Sequence, residues 1–394
     1  MRIALLLPFA LPLLTHGQSW TPQEAFPGPV RDDASAFELS GDIYVGTGMD
    51  GGFQLTTDWY RFSTWSLTWT PVTAMPTTGR QYTTAFSLGG RGYVQGGIDA
   101  NGALNQLWMY DPAVALWQQK AALPGNTRSA SASFTLNGLG YVCGGLLQGG
   151  TATDQLWAYD PVTNVWVARS PMPGTARHRA VAFTVNEKAY VVGGADAQFN
   201  ALSDGWCYDP FTNAWTAIAP LPQARFSSDA VEVIDGGVVI GGASDLGTAH
   251  DDVWVYRPAS DTWEALPAFA GGPRRGGSAA GWGGVRVYYG TGSDNTQRFG
   301  DWQLLDVPVG IAEHADGPRL AIHPDPVADV VRIILPPGWT KATLLVLDPQ
   351  GRVIRQWADV HTASQDIPFL APGRYVLVAE NKGERLAAPF VKLP

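Results

Sequence analysis

Five times along the chain an aromatic residue is followed seven positions later by a tryptophan: Phe62 and Trp69, Tyr110 and Trp117, Tyr159 and Trp166, Tyr208 and Trp215, Tyr256 and Trp263. A glycine pair recurs at Gly96-Gly97, Gly144-Gly145, Gly193-Gly194 and Gly241-Gly242, with a Gly-Thr-Gly variant beginning at Gly46 and Gly290. The successive spacings are 50, 48, 49, 48 and 49 residues. Such a period marks one supersecondary unit written out six times. Units of this kind bury their apolar faces only against one another.

Within the third unit, SASASFTL (129–136) alternates small and apolar residues, Asn137-Gly138 makes a tight turn, and LGYVCGG (139–145) is a second strand ending at permissive glycines. QLWAY (155–159) reads as a third strand. Asp160-Pro161 opens a turn, Asn164 suits a left-handed position, and VWVA (165–168) is the fourth strand. Each unit is therefore predicted to be a four-stranded antiparallel meander. With both faces apolar, the sheets must stack, and the recurring Tyr and Trp rings are the expected filling. Six such sheets around an axis make a β-propeller.

The glycine doublets, the Tyr and Trp at fixed spacing and an arginine leading each unit resemble kelch repeats over roughly residues 18–309. The resemblance implies an all-β, six-bladed kelch propeller. The first unit departs from the pattern with Phe62, and the sixth has no Trp after Asp301-Trp302. The missing ring is found at the other end of the chain. SWTPQEAFPGPVRDDA, from Ser19, matches AWTAIAPLPQARFSSDA, from Ala214, so that Trp20 corresponds to Trp215. Residues 19–24 are expected to supply the outer strand of the sixth blade, closing the ring and covering an open edge.

The N-terminus reads as a signal peptide over 1–17: Arg2, a mostly apolar run from Ile3 to Leu14 interrupted by Pro8 and Pro12, then small and polar residues near Gly17. No other segment is long and apolar enough for a transmembrane helix. After Val309 the period stops, 310–317 reads as a linker, and 318–394 alternates as the strands of a small β-sandwich of immunoglobulin-like type. That tail resembles the C-terminal sorting domain of bacterial type IX secretion cargo. The residues that carry the resemblance are His323-Pro-Asp-Pro-Val, Asp348-Pro-Gln-Gly-Arg-Val and Pro372-Gly-Arg-Tyr-Val. It implies recognition of 318–394 by the type IX machinery, passage through the periplasm, and a secreted or outer-membrane cell-surface protein.

Charge narrows the partners. Residues 18–317 carry 16 basic and 28 acidic side chains, a net charge of −12. A nucleic-acid partner needs a positive footprint that this body lacks, so a glycan or protein ligand is expected. A monomer is expected. Cys143 and Cys207 are read as buried strand residues whose pairing is open. The sequence shows no metal or cofactor motif and no HExxH, GxSxG or P-loop pattern, so neither a metal nor a cofactor is expected.

One class of basic residue is placed with regularity. Arg31, Arg80, Arg128, Arg177, Arg225 and Arg274 lie 15 or 16 residues before their glycine pairs, each ahead of the innermost strand. As a ring at one mouth of the central channel they either serve the blades or clasp an anionic ligand. Specificity belongs where the sixfold pattern breaks, at Asp32, Gln81, Ser129, His178, Phe226 and Arg275, and then at Asp33, Tyr82, Ala130, Arg179, Ser227 and Gly276. Tyr82 and Phe226 are candidates to stack on a sugar face, Arg179 and Arg275 to bind charge, and His178 to act as an acid-base group if the protein is an enzyme. Three functions stay open: a propeller binding a glycan or protein ligand, a sugar-acid mutarotase, epimerase or other carbohydrate-active enzyme, and a structural or adhesive surface protein.

Overall fold

A computed structural model of the protein describes residues 19–307, 320–323, 330–335, 338–347, 353–361, 363–366, 370–371, 373–381 and 384–392. The expected signal peptide and linker, and most of the three tail motifs, lie outside the described residues. Every described regular element is a strand, and no described helix is long and apolar enough to cross a membrane.

The first repeat forms a four-stranded meander from Ser35–Leu39, Asp42–Gly46, Trp59–Ser63 and Thr68–Val72. Equivalent sheets follow, with innermost strands Thr84–Leu88, Ala132–Leu136, Val181–Val185, Asp229–Val233 and Ser278–Trp282. Each innermost strand packs on the next, and Ser278–Trp282 returns to Ser35–Leu39, so the sheets stand in a ring. The last sheet takes its fourth strand from the N-terminus: Thr21 pairs with Leu304 and Pro22 with Gln303.

The repeated aromatics explain why separate sheets hold together. Tyr110 and Trp117, Tyr159 and Trp166, Tyr208 and Trp215, and Tyr256 and Trp263 sit directly opposite each other on neighbouring strands, with ring centroids 4.9–5.1 Å apart. Each tryptophan donates its indole N–H to a carbonyl of the preceding sheet: Trp117 to Thr73, Trp166 to Ala121, Trp215 to Ser170 and Trp263 to Ala219. Trp69 donates likewise to Glu24, and Trp20 to Pro267 across 247 residues of chain. The N-terminal tryptophan thus does for the last sheet what Trp215 does for the fourth.

A second ring lies at one mouth of the channel. Asp33, Tyr82, Ala130, Arg179, Ser227 and Gly276 all adopt left-handed backbone, with φ between 51° and 57°. That conformation turns each N–H toward its neighbour. Tyr82 donates to Asp33 (3.2 Å), Ala130 to Tyr82 (2.8 Å), Arg179 to Ala130 (2.7 Å), Ser227 to Arg179 (3.1 Å), Gly276 to Ser227 (2.9 Å), and Asp33 to Gly276 (2.7 Å), completing the circle.

The Gly-Thr-Gly variants differ from their alignment in the sequence. Thr47 and Thr291, with φ of 59° and 54°, stand where the other repeats place their first glycine. Arg31 donates to the carbonyl of Thr47 as Arg177 does to that of Gly193. Gly46 instead ends a strand flush against Trp59, where a Cβ would lie 2.1 Å from the indole.

In the tail, Ala321–His323, Val330–Ile334 and Ala363–Asp366 form one sheet, and Ala342–Leu347, Val353–Val360, Gly373–Asn381 and Glu384–Lys392 another. Val331, Ile333 and Leu335 pack with Leu344, Val346, Leu377 and Phe390 in one apolar cluster between them. Cys143 and Cys207 are both buried free thiols. Burial pushes the Cys143 thiol up to about 12, which keeps it protonated and unreactive.

Candidate ligand site at the channel mouth

All six leading arginines are buried, none more than 1% exposed, and their guanidinium groups are occupied within the blades. Arg225 donates to the Gly241 carbonyl at 3.0 Å and forks onto both oxygens of Asp252 at 2.7 Å. Arg31 pairs with Asp58, Arg177 with Asp204 and Arg274 with Asp301 in the same way. Each aspartate lies 27 residues downstream, at the entry to the third strand. In the second and third sheets the acceptor is neutral: Arg80 meets Gln106 and Arg128 meets Gln155. Burial lowers those two arginines to about 10, still leaving them cationic at neutral pH. The six guanidinium groups are therefore turned into the blades, and none of them lines the cavity at the channel mouth.

Two further candidates do not line the cavity at the channel mouth. Phe226, 1% exposed, packs on Ala195, Ala201 and Ala243, so it presents no face to a sugar. His178 is fully buried, and its Nδ1 accepts a hydrogen bond from Arg179 at 2.8 Å. Burial, then the Arg179 charge, pushes its imidazole down to about 4, which keeps it neutral at neutral pH. No group of three or more His, Cys, Asp or Glu among the described residues is placed to hold a metal ion.

The remaining candidates do converge. A cavity of about 190 Å³ opens inside the left-handed ring, lined by Asp33, Tyr82, Arg179, Ser227, Asp229 and small residues including Ser35, Thr83 and Ser131. Below the mouth Ala36, Ala85, Ala182, Ala230 and Ala279 share the wall with Ser133. The Arg179 guanidinium lies 4.3 Å over the Tyr82 ring and 5.0 Å over Phe199, a stacked position that fixes it while leaving it half-buried. Arg275 is held at the rim by Asn295 Oδ1 at 2.9 Å.

Two carboxyl groups dominate the electrostatics. Burial, then the charge of Asp32, pushes Asp33 up to about 7, against the opposing pull of Arg179, Arg275 and the Tyr82 hydroxyl. Asp229 is likewise pushed up to about 7 by burial and by Asp33, with only the Gly277 N–H opposing. No cation offsets Asp229. These groups are raised from 3.8 in the unfolded chain, so the folded state holds protons that the unfolded state has released. Their stabilising contribution is complete below about pH 4 and is lost as the pH rises through about 7. The melting temperature is expected to fall between about pH 4 and 7, and Asp229→Asn to flatten that slope. An unchanged slope in the variant would mean that Asp229 does not titrate there.

Asp229 had no sequence signal, because its position is held by Ser35, Thr84, Ala132, Val181 and Ser278 in the other repeats. A periodic comparison that asks where an acidic residue replaces small or apolar ones would have found it.

The geometry defines the class, a kelch-repeat β-propeller, and comparison with known proteins agrees. Residues 13–174 match the KLHDC2/KLHL20/DRC7 kelch-repeats domain, and residues 176–222 match the kelch motif. Among solved structures, one titled "Structure of YjhT" is similar in fold, with a TM-score of 0.64 at 19% identity over 73% of this chain and 98% of that one. No curated protein gives a significant match.

Proposed function

We infer that the protein is a six-bladed kelch propeller, closed by its own N-terminal strand, that binds a small hydroxylated ligand of glycan type in the channel mouth. The supporting observation is the break in sixfold symmetry at the left-handed ring. Three members carry functional side chains, Asp33, Tyr82 and Arg179, while Ala130, Ser227 and Gly276 leave room beside them. A cavity of about 190 Å³ is smaller than the roughly 300–1,000 Å³ of drug-sized sites, which suits one sugar ring better than a protein loop. In this reading residues 318–394 are an immunoglobulin-like sorting domain that takes the chain to the cell surface or beyond through type IX secretion.

The test is a thermal-shift screen of the full chain against neutral sugars, amino sugars and sugar acids. A ligand of the native state at a hundred times its Kd adds about 2.7 kcal/mol of stability and so raises the melting temperature. The expected result is a shift that is lost in Tyr82→Ala and Arg179→Ala. No shift with any sugar would refute the channel reading and favour a structural or adhesive role for the outer surfaces.

A second reading is favoured by one observation, the pair of carboxyl groups near pH 7. Groups so poised both give and accept protons, as an isomerase or mutarotase acting on the bound sugar requires. Faster anomer exchange with catalytic protein, abolished by Asp33→Asn, is the outcome that would establish it.

A further inference from the structure

The channel mouth is unevenly satisfied. On one side Asp33 has two cations acting on it, Arg179 and Arg275. On the other side Ser227, 8% exposed, has an Oγ with no hydrogen-bond partner, and Asp229 has an Oδ2 with none. Both residues line the cavity. Behind them the buried Tyr289 hydroxyl is also unpartnered, in the field of Asp229. Gly277 makes room for that ring, since a Cβ there would lie 2.4 Å from it. Unpartnered buried oxygens beside an uncompensated carboxyl are costly in a folded protein. A ligand that brings hydrogen-bond donors and positive charge removes that cost.

Charge at longer range points the same way. Glu38 and Glu232 share a strand face with the channel-lining Ala36 and Ala230, and the region from 18 to 317 has a net charge of −12. With the six ring arginines committed inside the blades, the cations left at the mouth, Arg179 and Arg275, act on Asp33, and none acts on Asp229.

We propose that the Ser227–Asp229 wall of the channel mouth binds the ammonium group of a small, hydroxyl-bearing primary amine, of which an amino sugar is the type. The ammonium donates to Asp229 Oδ2 and Ser227 Oγ, the ionised carboxylate supplies the counter-charge, and the Ser and Thr hydroxyls of the mouth meet the remaining ring hydroxyls. The inference rests on the channel-mouth reading above, and it inverts the preference for acidic sugars that a ring of free arginines would have given.

The experiment is isothermal titration of the full chain with glucosamine, glucose, N-acetylglucosamine and glucuronate. Glucosamine is expected to bind about tenfold tighter than glucose or N-acetylglucosamine at pH 7.5. Asp229→Asn, which preserves shape, is expected to level the three affinities, and Ser227→Ala to weaken glucosamine alone. Protonating Asp229, whose neighbours in the wall are Asp33 and Tyr289, should weaken glucosamine toward pH 5.5. Glucose or glucuronate binding as tightly as glucosamine, or discrimination that survives in Asp229→Asn, overturns the amine while leaving the channel site standing. Binding of none of the four overturns both.

Discussion

Replacing Arg225 by alanine is expected to destabilise the propeller by roughly 3–5 kcal/mol, the cost of breaking a buried ion pair from one side. The side chain is 1% exposed and satisfies the Gly241 carbonyl and both oxygens of Asp252 at once. Its removal leaves the carbonyl unpaired, the carboxylate without its counter-charge, and a void under the loop that carries the mouth. Arg91→Ala is the natural control. Arg91 also pairs with an aspartate, Asp111 at 2.9 Å, but is 45% exposed, so its loss should cost less than about 1 kcal/mol. Denaturant midpoints for the two variants measure the difference. Equal midpoints would mean that the ring arginines are not structural, and would reopen them as ligand groups.

Truncation of the chain to begin at Val30 is expected to have an effect of similar size. It removes the buried Trp20 and Phe26 side chains, worth about 5 kcal/mol together at roughly 1.5–3 kcal/mol each. It also removes the backbone bonds from Gln23 to Trp302 and from Phe26 to Gly300, and the cap that Glu24 places on Trp69. The strand Trp302–Asp306 becomes a bare edge, open to pairing with other chains. Against a total stability of about 5–15 kcal/mol, the truncated propeller should melt far below the intact one and aggregate on heating. Calorimetry with light scattering reads both effects, and an unaltered melting temperature would show that the ring does not depend on its N-terminal closure.

The repeat was legible because it is a property of the sequence itself. Tyr-to-Trp spacing, turn residues and the echo of Trp215 in Trp20 all follow from local chemistry, and each has its counterpart in strand register and indole hydrogen bonds. The site was legible only in part. That six arginines recur could be read, but their partners sit 26 or 27 residues away on another strand and become partners only through the fold. Tyr82 and Arg179 were reachable as breaks in symmetry. Phe226 broke the same symmetry yet packs on three alanines of the adjoining loops, because aromatic character alone does not say which way a ring is turned. Asp33 and Asp229 owe their properties to burial and to neighbouring carboxyls, Asp32 for the first and Asp33 for the second, and burial is not recorded in the spacing of the chain.

The central claim is that the ligand sits in the mouth ringed by Asp33, Tyr82, Arg179 and Ser227, and the most direct measurement is a crystal structure of the full chain with the sugar that gives the largest thermal shift. The expected result is density inside that ring, in contact with Arg179 on one side and Asp229 on the other. Density on the outer strands of the blades, or at the opposite mouth near Glu38 and Glu232, would contradict it.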